Sequence, residues 1–301
     1  MEKEFHDIYK FCEDNLKNLI PWEGYYYRRY LEFLSFYDLF PQKKFTNILE
    51  LGCGIGYYSS FLSLLGDFVF ATDIGEQDIK KHSFGLNKAQ NLLDKLKIKN
   101  VELKQATAEN LPFSDNTFDM VFSSFVLEHV VNREKAIKEI YRVLKPGGIN
   151  FCVVPTSMER FYSLFNYYLY LFKRAIFYIL KFLKINQQDN QENNKEINVK
   201  NIMKTSNQFT HFPFPPPHGE FPNYLSELYN WTFKKWERLI TQNNEYELLS
   251  SSTTEINPLL IYSKFGLKCY SITRKLEISI GKDNIIKNFG INAVFITRKN
   301  R

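Results

Sequence analysis

A cluster of three glycines is the first feature of this sequence that could perform chemistry. Gly52, Gly54 and Gly56 stand in the stretch ILELGCGIG, and they are three of only 13 glycines in the chain. Glycine after a strand lets the backbone turn sharply and lets a ligand approach closely. Glu50 precedes the GxGxG spacing, so a pyrophosphate would lie beside a carboxylate, whereas a ligand carrying an ammonium and a sulfonium is compatible with it. No Gly-Lys-Ser/Thr follows, which excludes a P-loop. A simple tight turn is the alternative.

Asp73 lies where the second predicted strand ends, 23 residues after Glu50. An acidic side chain at this place in an α/β sheet can accept hydrogen bonds from both hydroxyls of a ribose. The alternative is that Asp73 caps the helix that follows. The pattern therefore favours a nucleoside-bearing ligand near the ends of the first two strands.

Short apolar runs alternate with helical segments from residue 45 onward. Strands are predicted at 47–51, 68–72, 101–105, 118–123, 149–154, 246–251 and 293–298, and helices at 5–19, 22–40, 57–65, 78–96, 133–144 and 225–240. Strand–helix alternation with short connections requires parallel pairing and right-handed crossovers. We therefore expect an α/β fold with a Rossmann-like, mostly parallel sheet, helices on both faces and a largely helical C-terminal cap.

Charge divides the chain into two unlike halves. Residues 1–156 carry 19 Lys and Arg against 21 Asp and Glu, whereas residues 157–301 carry 20 against 12. A basic half attracts nucleic acid, anionic lipid or an acidic substrate. Nucleic acid ranks last, because no zinc-finger or RNA-binding signature is present. The four widely spaced cysteines favour reduced thiols, no metal site and a cytoplasmic location, and the charged N-terminus shows no signal peptide.

The segment Phe161–Lys184 is unusually aromatic and contains Lys173, Arg174, Lys181 and Lys184. Charges interrupt it too often for a membrane span, but its composition suits a helix that lies at the inner membrane surface. A helix packed under the C-terminal half, as a tunnel wall or a dimer contact, is the alternative. Residues 185–207 predict a mobile loop, and the proline-rich run at 211–222 predicts an extended segment.

Four blocks of sequence carry a resemblance to a known family. They are ILELGCGIG (48–56), ATDIG (71–75), ATAENLPFSDNTFDMVFSSFVLEHV (106–130) and YRVLKPGG (141–148). With them the chain resembles the class I S-adenosylmethionine-dependent methyltransferases, in the group that includes the ubiquinone/menaquinone biosynthesis methyltransferases. The resemblance covers about residues 45–155, is specific for cofactor and fold, and is unspecific for substrate.

The resemblance implies a role for particular residues. Glu50, Gly52, Gly54 and Gly56 would hold the methionine moiety of S-adenosyl-L-methionine, and Asp73 would bind the ribose. Ala108 and Glu109 would line the adenine, and Ser124 and Phe125 would flank the methyl donor. Thr107 stands where the family often has an acidic residue, and a hydroxyl is a weaker acceptor than a carboxylate. With the predicted elements and the change of composition after residue 155, we expect four parts: N-terminal helices over the cofactor site (1–44), the S-adenosylmethionine-binding core (45–156), an aromatic and basic helical cap with a loop (157–242), and closing strands with an insertion (243–301).

Methyl transfer needs a general base only where the acceptor must lose a proton early. His129, in LEHV after the fourth strand, is the candidate base because that loop opens onto the cofactor crevice. A structural hydrogen bond is the alternative. His211 and His218 flank the proline-rich run and are further candidates. The Tyr/Arg cluster at 25–30 would fold over the cofactor or form a packed aromatic surface.

The sequence favours an enzyme that methylates a small, lipidic or lipid-linked acceptor, such as a glycan precursor. A catalytically inactive cofactor-binding module is the first alternative, and the intact glycines, Glu50 and Asp73 argue against it. A nucleic-acid methyltransferase would be expected to show an Asn/Asp-Pro-Pro-Tyr motif, which SSFVLEHV lacks. Protein methylation is a further alternative. The acceptor and the oligomeric state are not determined by the sequence.

Overall fold

The computed structural model describes residues 1–16, 25–37, 39–41, 43–74, 85–188, 213–241, 246–254 and 290–300. Several predicted features lie wholly or partly outside these residues. They are the helix ends at 17–19 and 22–24, the segment 78–84, Gly75, the loop beyond residue 188, His211 and Cys269.

The described strands form one seven-stranded sheet in the order β3-β2-β1-β4-β5-β7-β6. They are β1 (Phe45–Leu51), β2 (Gly66–Asp73), β3 (Val101–Gln105), β4 (Phe118–Ser124), β5 (Leu144–Pro155), β6 (Tyr246–Thr254) and β7 (Asn292–Lys299). The first five strands pair in parallel, and β7 pairs antiparallel with both β5 and β6. The predicted Rossmann-like, mostly parallel sheet is therefore confirmed.

Strand β1 lies at the switch point of the sheet. It pairs in parallel with β2 on one side and with β4 on the other. Chain order runs outward from β1 in both directions, and a crevice opens at the carboxyl ends of the strands at such a point. This topology brings the residues that follow β1, β2 and β4 to one edge of the sheet.

Helices cover the sheet on both faces. They are α1 (Glu2–Leu16), α2 (Tyr25–Tyr37), α3 (Tyr57–Leu62), α4 (Leu86–Lys95), α5 (Arg133–Val143), α6 (Ser157–Gln188), α7 (Tyr224–Asn230) and α8 (Phe233–Thr241). Adjacent residues of β1 face opposite layers, since Ile48 belongs to one buried cluster and Leu49 to the other. Burial on both faces is typical of a parallel sheet.

Aromatic rings hold the N-terminal helices on one face of the sheet. Phe33 of α2 lies 5.0 Å from Phe5 of α1 and 4.6 Å from Phe61 of α3, between ring centroids. Phe40 stacks on Phe151 of β5 at 4.2 Å. Aromatic pairs at such distances contribute beyond the area they bury. The abundant Phe and Tyr of the N-terminal segment therefore form a core rather than an exposed surface.

Several predicted boundaries differ from the structure, and three of the differences have a clear local cause. The helix predicted at 225–240 is two helices, because Thr232 interrupts it and its carbonyl accepts the N–H groups of Lys235 and Trp236 at the start of α8. Strand β5 begins at Leu144 rather than at residue 149, and Gly147 accommodates a positive φ of 77° within it. Helix α6 continues to Gln188, through the first residues of the predicted loop. No Gly or Pro occurs between 157 and 188 to end it.

We expect Phe33→Ala to lower the free energy of unfolding by about 3–5 kcal/mol, since Phe33 is fully buried and its removal leaves a cavity among aromatic rings. Denaturant unfolding of the full chain measures the change. Phe172→Ala, at a side chain that is 63% exposed on α6, is the matched control and should change stability by no more than about 0.5 kcal/mol. Equal effects of the two substitutions would contradict the assigned core.

Candidate active site

The glycine cluster forms the turn between β1 and α3. Gly52 and Gly54 have φ values of +66° and +56°, in the left-handed region that favours glycine. A Cβ at Gly52 would clash with Val126, so the turn after β1 packs directly against the loop after β4. A Cβ at Gly54 would meet no atom within 4 Å, so this backbone borders open space. A ligand can therefore approach the main chain at Gly54.

Asp73, the last residue of β2, joins the ends of two strands. Its Oδ2 accepts a hydrogen bond from the N–H of Gly54 at 2.8 Å. The carboxylate does not cap α4, whose N-cap is Gly85. Two carboxylate oxygens can accept about four hydrogen bonds, so one bond to Gly54 leaves capacity for ligand hydroxyls. The geometry is compatible with the predicted ribose contact.

Glu50 is buried beneath the same turn. Its carboxylate accepts a hydrogen bond from the hydroxyl of Ser59 in α3. Burial raises the pKa of Glu50 to about 8, and the negative charge of nearby Asp73 adds to the rise. A cationic ligand group next to Glu50 would favour its ionised form.

The segment predicted to line the adenine lies beside the end of β2. The N–H of Ala106 donates to the carbonyl of Asp73 at 3.0 Å. Glu109 Oε1 accepts from the N–H of Asn132 at 3.3 Å, which ties this segment to the start of α5. Ala108 is half-buried, and Thr107 is exposed and forms a bridge with Asn110. The roles of Ala108 and Glu109 in adenine binding remain predictions.

The loop after β4 approaches the crevice from the other side. Phe125 has a φ of +57°, which is rare for an aromatic residue, and its N–H donates to the carbonyl of Val153 at 3.0 Å. The hydroxyl of Ser124 is buried and has no hydrogen-bond partner among the described residues. A residue with positive φ and a buried hydroxyl without a described partner therefore lie together at the place predicted for the methyl donor.

Helix α2 brings a charged cluster against this loop. The guanidinium of Arg29 lies 5.4 Å from the ring centroid of Phe125 and 2.6 Å from Oε2 of Glu32. Burial opposes ionisation of Glu32, but Arg29 and Arg28 hold its pKa below the usual range. The Tyr/Arg segment thus packs beside the candidate methyl-donor position. That it also covers the cofactor remains a prediction.

Glu128, His129 and His218 come together just beyond β4. His129 Nε2 lies 3.9 Å from Glu128 Oε1, and the His129 and His218 ring centroids are 5.2 Å apart. Glu128 is fully buried, and burial raises its pKa to about 8. The sequence identified both histidines as candidates but missed Glu128. The signal that could have identified Glu128 is its place directly before His129, the candidate base.

The segment that carries His218 is fixed by a buried ion pair. Glu227 Oε1 accepts the N–H groups of His218 and Gly219, at 2.6 and 2.5 Å. Glu227 Oε2 lies 3.1 Å from Nε of Arg160 in the first turn of α6. The N–H of Glu220 donates to the carbonyl of Glu128 at 2.9 Å. The start of α6 and α7 therefore hold the His218 segment against the β4 loop.

Helix α6 carries many exposed side chains beyond its first turn. The side chains of many of its large apolar residues are exposed: Phe161, Phe165, Tyr168, Leu169, Tyr170, Phe172, Ile176, Phe177, Ile179 and Leu180. Among the described residues, no helix has the length and apolar character required to cross a membrane. The side chains of Lys181 and Lys184 lie outside the part of the chain that the structure describes.

Residues 49–152 match the protein family described as "Methyltransferase domain". A ubiquinone/menaquinone biosynthesis C-methyltransferase UbiE from Haemophilus ducreyi is 40% identical over 109 residues. This alignment covers 35% of the chain and 40% of the relative, so the chain spans less than half of the curated relatives it matches. The rest of the chain has no counterpart in those alignments.

Solved structures support the fold. A Listeria monocytogenes protein described as a "putative S-adenosylmethionine dependent methyltransferase" has a TM-score of 0.50 at 13% identity. The alignment covers 91% of this chain and 99% of that one. The [4+2]-cyclase SpnF has the same TM-score and identity, covering 90% and 80%. Such likeness shows the fold alone, and fold does not determine reaction. Together with the family match, these structures confirm the predicted methyltransferase-domain core and its Rossmann-like fold.

We expect Asp73→Ala to weaken S-adenosylmethionine binding by about 1–3 kcal/mol, because the Gly54 N–H and the ribose hydroxyls both lose their acceptor. Calorimetric titration of the folded variant measures the change. Asp67→Ala is the matched control, since Asp67 is exposed near the opposite end of the same strand. Unchanged affinity in Asp73→Ala would show that the ribose is held elsewhere.

Proposed function

We propose that this chain, whose residues 49–152 belong to a methyltransferase-domain family, transfers a methyl group from S-adenosylmethionine to a small lipidic or lipid-linked acceptor. The observation that carries the proposal is the turn after β1. There Gly54 presents its backbone to open space while its N–H holds the Asp73 carboxylate at the edge of the sheet. This arrangement suits a nucleoside cofactor whose ribose meets Asp73.

The transfer itself makes modest demands on the protein. The acceptor atom supplies the electron pair of the new bond to carbon, the carbon–sulfur bond breaks, and its electrons remain on sulfur as a neutral thioether. Because the donor is already activated, the protein must mainly hold acceptor, methyl carbon and sulfur in line in a dry pocket. Ser124 and Phe125, beside the end of β4, are in place to shape that pocket.

The acceptor side of the site would lie between the β4 loop and the C-terminal region. His129 and His218 face each other there, and His218 is positioned by Glu227 and Arg160. If the acceptor is a hydroxyl, it loses a proton as the methyl bond forms, and an imidazole at this place can accept it. His129 is therefore retained as the candidate base, with His218 as the second candidate.

Helix α6 supports a lipidic acceptor. It starts beside the site, where the N–H of Ser157 donates to the carbonyl of Trp231 at 2.9 Å, and Trp231 in turn lies 6.1 Å from the His218 ring. Its exposed Phe161, Phe165 and Phe172 follow each other at spacings of four and seven residues, on one side of the helix. Exposed apolar patches of this kind mark interaction surfaces. The curated relatives are named for quinone biosynthesis, which is also lipid chemistry.

The charge of α6 favours an anionic membrane surface as its partner. Residues 161–188 contain no Asp or Glu but carry four Lys and Arg. Arg174 donates to the hydroxyls of Tyr170 and Tyr178, and Lys173 is exposed. Aromatic rings with flanking cations suit a helix that lies in the headgroup region. A lipid-linked acceptor held at the membrane would then lie close to the site.

The direct test supplies methyl-labelled S-adenosylmethionine and a cell extract separated into lipid, glycan, nucleic-acid and protein fractions. We expect label in the lipid fraction, including lipid-linked glycans, and a much lower rate with Asp73→Ala, which removes the ribose acceptor. Asp67→Ala should transfer normally. Label confined to nucleic acid or to protein would refute the lipidic acceptor, and cofactor binding without any transfer would favour an inactive module.

The membrane surface is tested with the quadruple variant Lys173→Gln, Arg174→Gln, Lys181→Gln and Lys184→Gln. Near an anionic surface each cation contributes about 1 kcal/mol, so binding to vesicles rich in anionic lipid should fall by more than tenfold. Sedimentation with vesicles measures it, and raised salt should mimic the variant.

The matched control changes four exposed lysines of α4 and the turn after it, Lys88, Lys95, Lys97 and Lys99, to Gln. It removes the same charge and should retain most of the vesicle binding. If the unmodified protein fails to sediment with anionic vesicles at low salt, or if both quadruple variants lose binding equally, α6 is not a membrane surface.

A further inference from the structure

Two imidazoles and one carboxylate converge beside the candidate methyl-donor position. One ligand atom from each of Glu128, His129 and His218 lies within 4.8 Å of the other two. Glu128 and His129 are adjacent in the chain, whereas His218 lies about 90 residues further on, so the fold brings the three together. The sequence predicted no metal site, since no Cys/His ligand spacing is present in the chain.

The carboxylate of Glu128 is the distinctive member of this cluster. Its side chain has no exposed surface, and neither Oε1 nor Oε2 has a hydrogen-bond partner among the described residues. Buried polar groups are nearly always hydrogen-bonded, and a buried carboxylate is ordinarily paired with a cation or bound to a metal. The Glu128 carboxylate therefore lacks a hydrogen-bond partner among the described residues, and its contact with His129 Nε2 is 3.9 Å.

The neighbouring cation does not supply that partner. Arg133 directs its Nε and Nη2 to the backbone carbonyls of Leu127 and Glu128, at 2.8 and 3.0 Å, and its guanidinium lies 4.2 Å from the ring centroid of Phe221. With these contacts the Arg133 guanidinium lies next to the Glu128 carboxylate without forming a hydrogen bond to it. They also fix the backbone that carries Glu128 and His129.

The backbone that carries the third ligand is held in place. Glu227 accepts the N–H groups of His218 and Gly219, and a Cβ at Gly219 would clash with the carbonyl of Glu128. Only glycine permits this close approach of the two segments. His218 is thereby fixed next to His129, which is what a preorganised ligand set requires.

We propose that Glu128, His129 and His218 form a binding site for a divalent transition-metal ion, with Zn²⁺ as the best-suited probe. Two imidazole nitrogens and a carboxylate oxygen suit zinc, and three protein ligands leave a coordination position open. Ligand atoms on a zinc ion lie closer together than 4.8 Å, so binding draws the two histidine side chains toward Glu128.

The open position gives the ion a role in the proposed function. The three ligand residues border the side of the crevice proposed for the acceptor, and an ion held by them would lower the pKa of an oxygen bound to it. With the ion bound, His129 and His218 would be ligands rather than bases, and the ion would make an acceptor hydroxyl acidic enough to release its proton to water. This consequence rests on the proposed function, whereas the metal site itself does not.

The test measures Zn²⁺ binding to the metal-depleted full chain by competition with a chromogenic chelator, without cofactor or acceptor. We expect one site per chain, weakened about 10- to 100-fold or more in Glu128→Gln and in His218→Gln, because each loses a direct ligand. His6→Gln, on α1, is the matched control and should bind as the unmodified chain does. Because no transfer is measured, an inactive methyltransferase would leave this result unaffected.

Co²⁺ provides a second measurement that a folding defect cannot imitate. We expect the unmodified chain to give ligand-field bands in the visible spectrum that Glu128→Gln and His218→Gln lack while retaining native circular dichroism. Equal Zn²⁺ affinity in all four proteins, or an unmodified chain that fails to compete with the chelator, would overturn the site. The buried carboxylate would then be left for a cationic group of the acceptor.

Discussion

The parallel pairing of β1 with both β2 and β4 is the constraint on which the rest of the structure depends. Parallel strands end at the same edge of a sheet, so the turn after β1, Asp73 after β2 and Ser124 after β4 must meet there. The hydrogen bond from Gly54 to Asp73 and the close approach of Gly52 to Val126 are consequences of this pairing. Each requires a glycine with positive φ in the turn.

Three buried carboxylates differ in how the surrounding residues compensate for their removal from water. Glu32 is compensated by Arg28 and Arg29, and its pKa is lowered. Glu50 accepts a hydrogen bond from Ser59, whereas neither oxygen of Glu128 has a hydrogen-bond partner among the described residues, and burial raises the pKa of each carboxyl to about 8. Glu32 serves the packing of α2, whereas Glu50 and Glu128 border the crevice. Strongly perturbed carboxylates in a crevice are typical of functional sites.

The C-terminal region contributes to the site from outside the matched core. Arg160 and Glu227 hold the His218 segment against the β4 loop, and all three residues lie beyond residue 152, where the family match ends. The same α6 that carries Arg160 exposes a row of aromatic side chains. A shared cofactor core with a separate acceptor region is the arrangement in which one fold accommodates many substrates.

The sequence by itself determined the sheet, the glycine turn and the place of Asp73. Apolar periodicity and glycine spacing are local signals, and residues 101–105 form a strand with the predicted bounds. It did not show that residues 225–240 form two helices, in which Trp231 closes the first and the carbonyl of Thr232 accepts the first N–H groups of the second. Nor did it reveal Glu128 as a site residue. A carboxylate in LEHV is unremarkable until the fold buries it without a hydrogen-bond partner among the described residues and brings His218 beside His129. Burial and contacts between distant segments arise only when the chain is folded, so tertiary structure alone decided them.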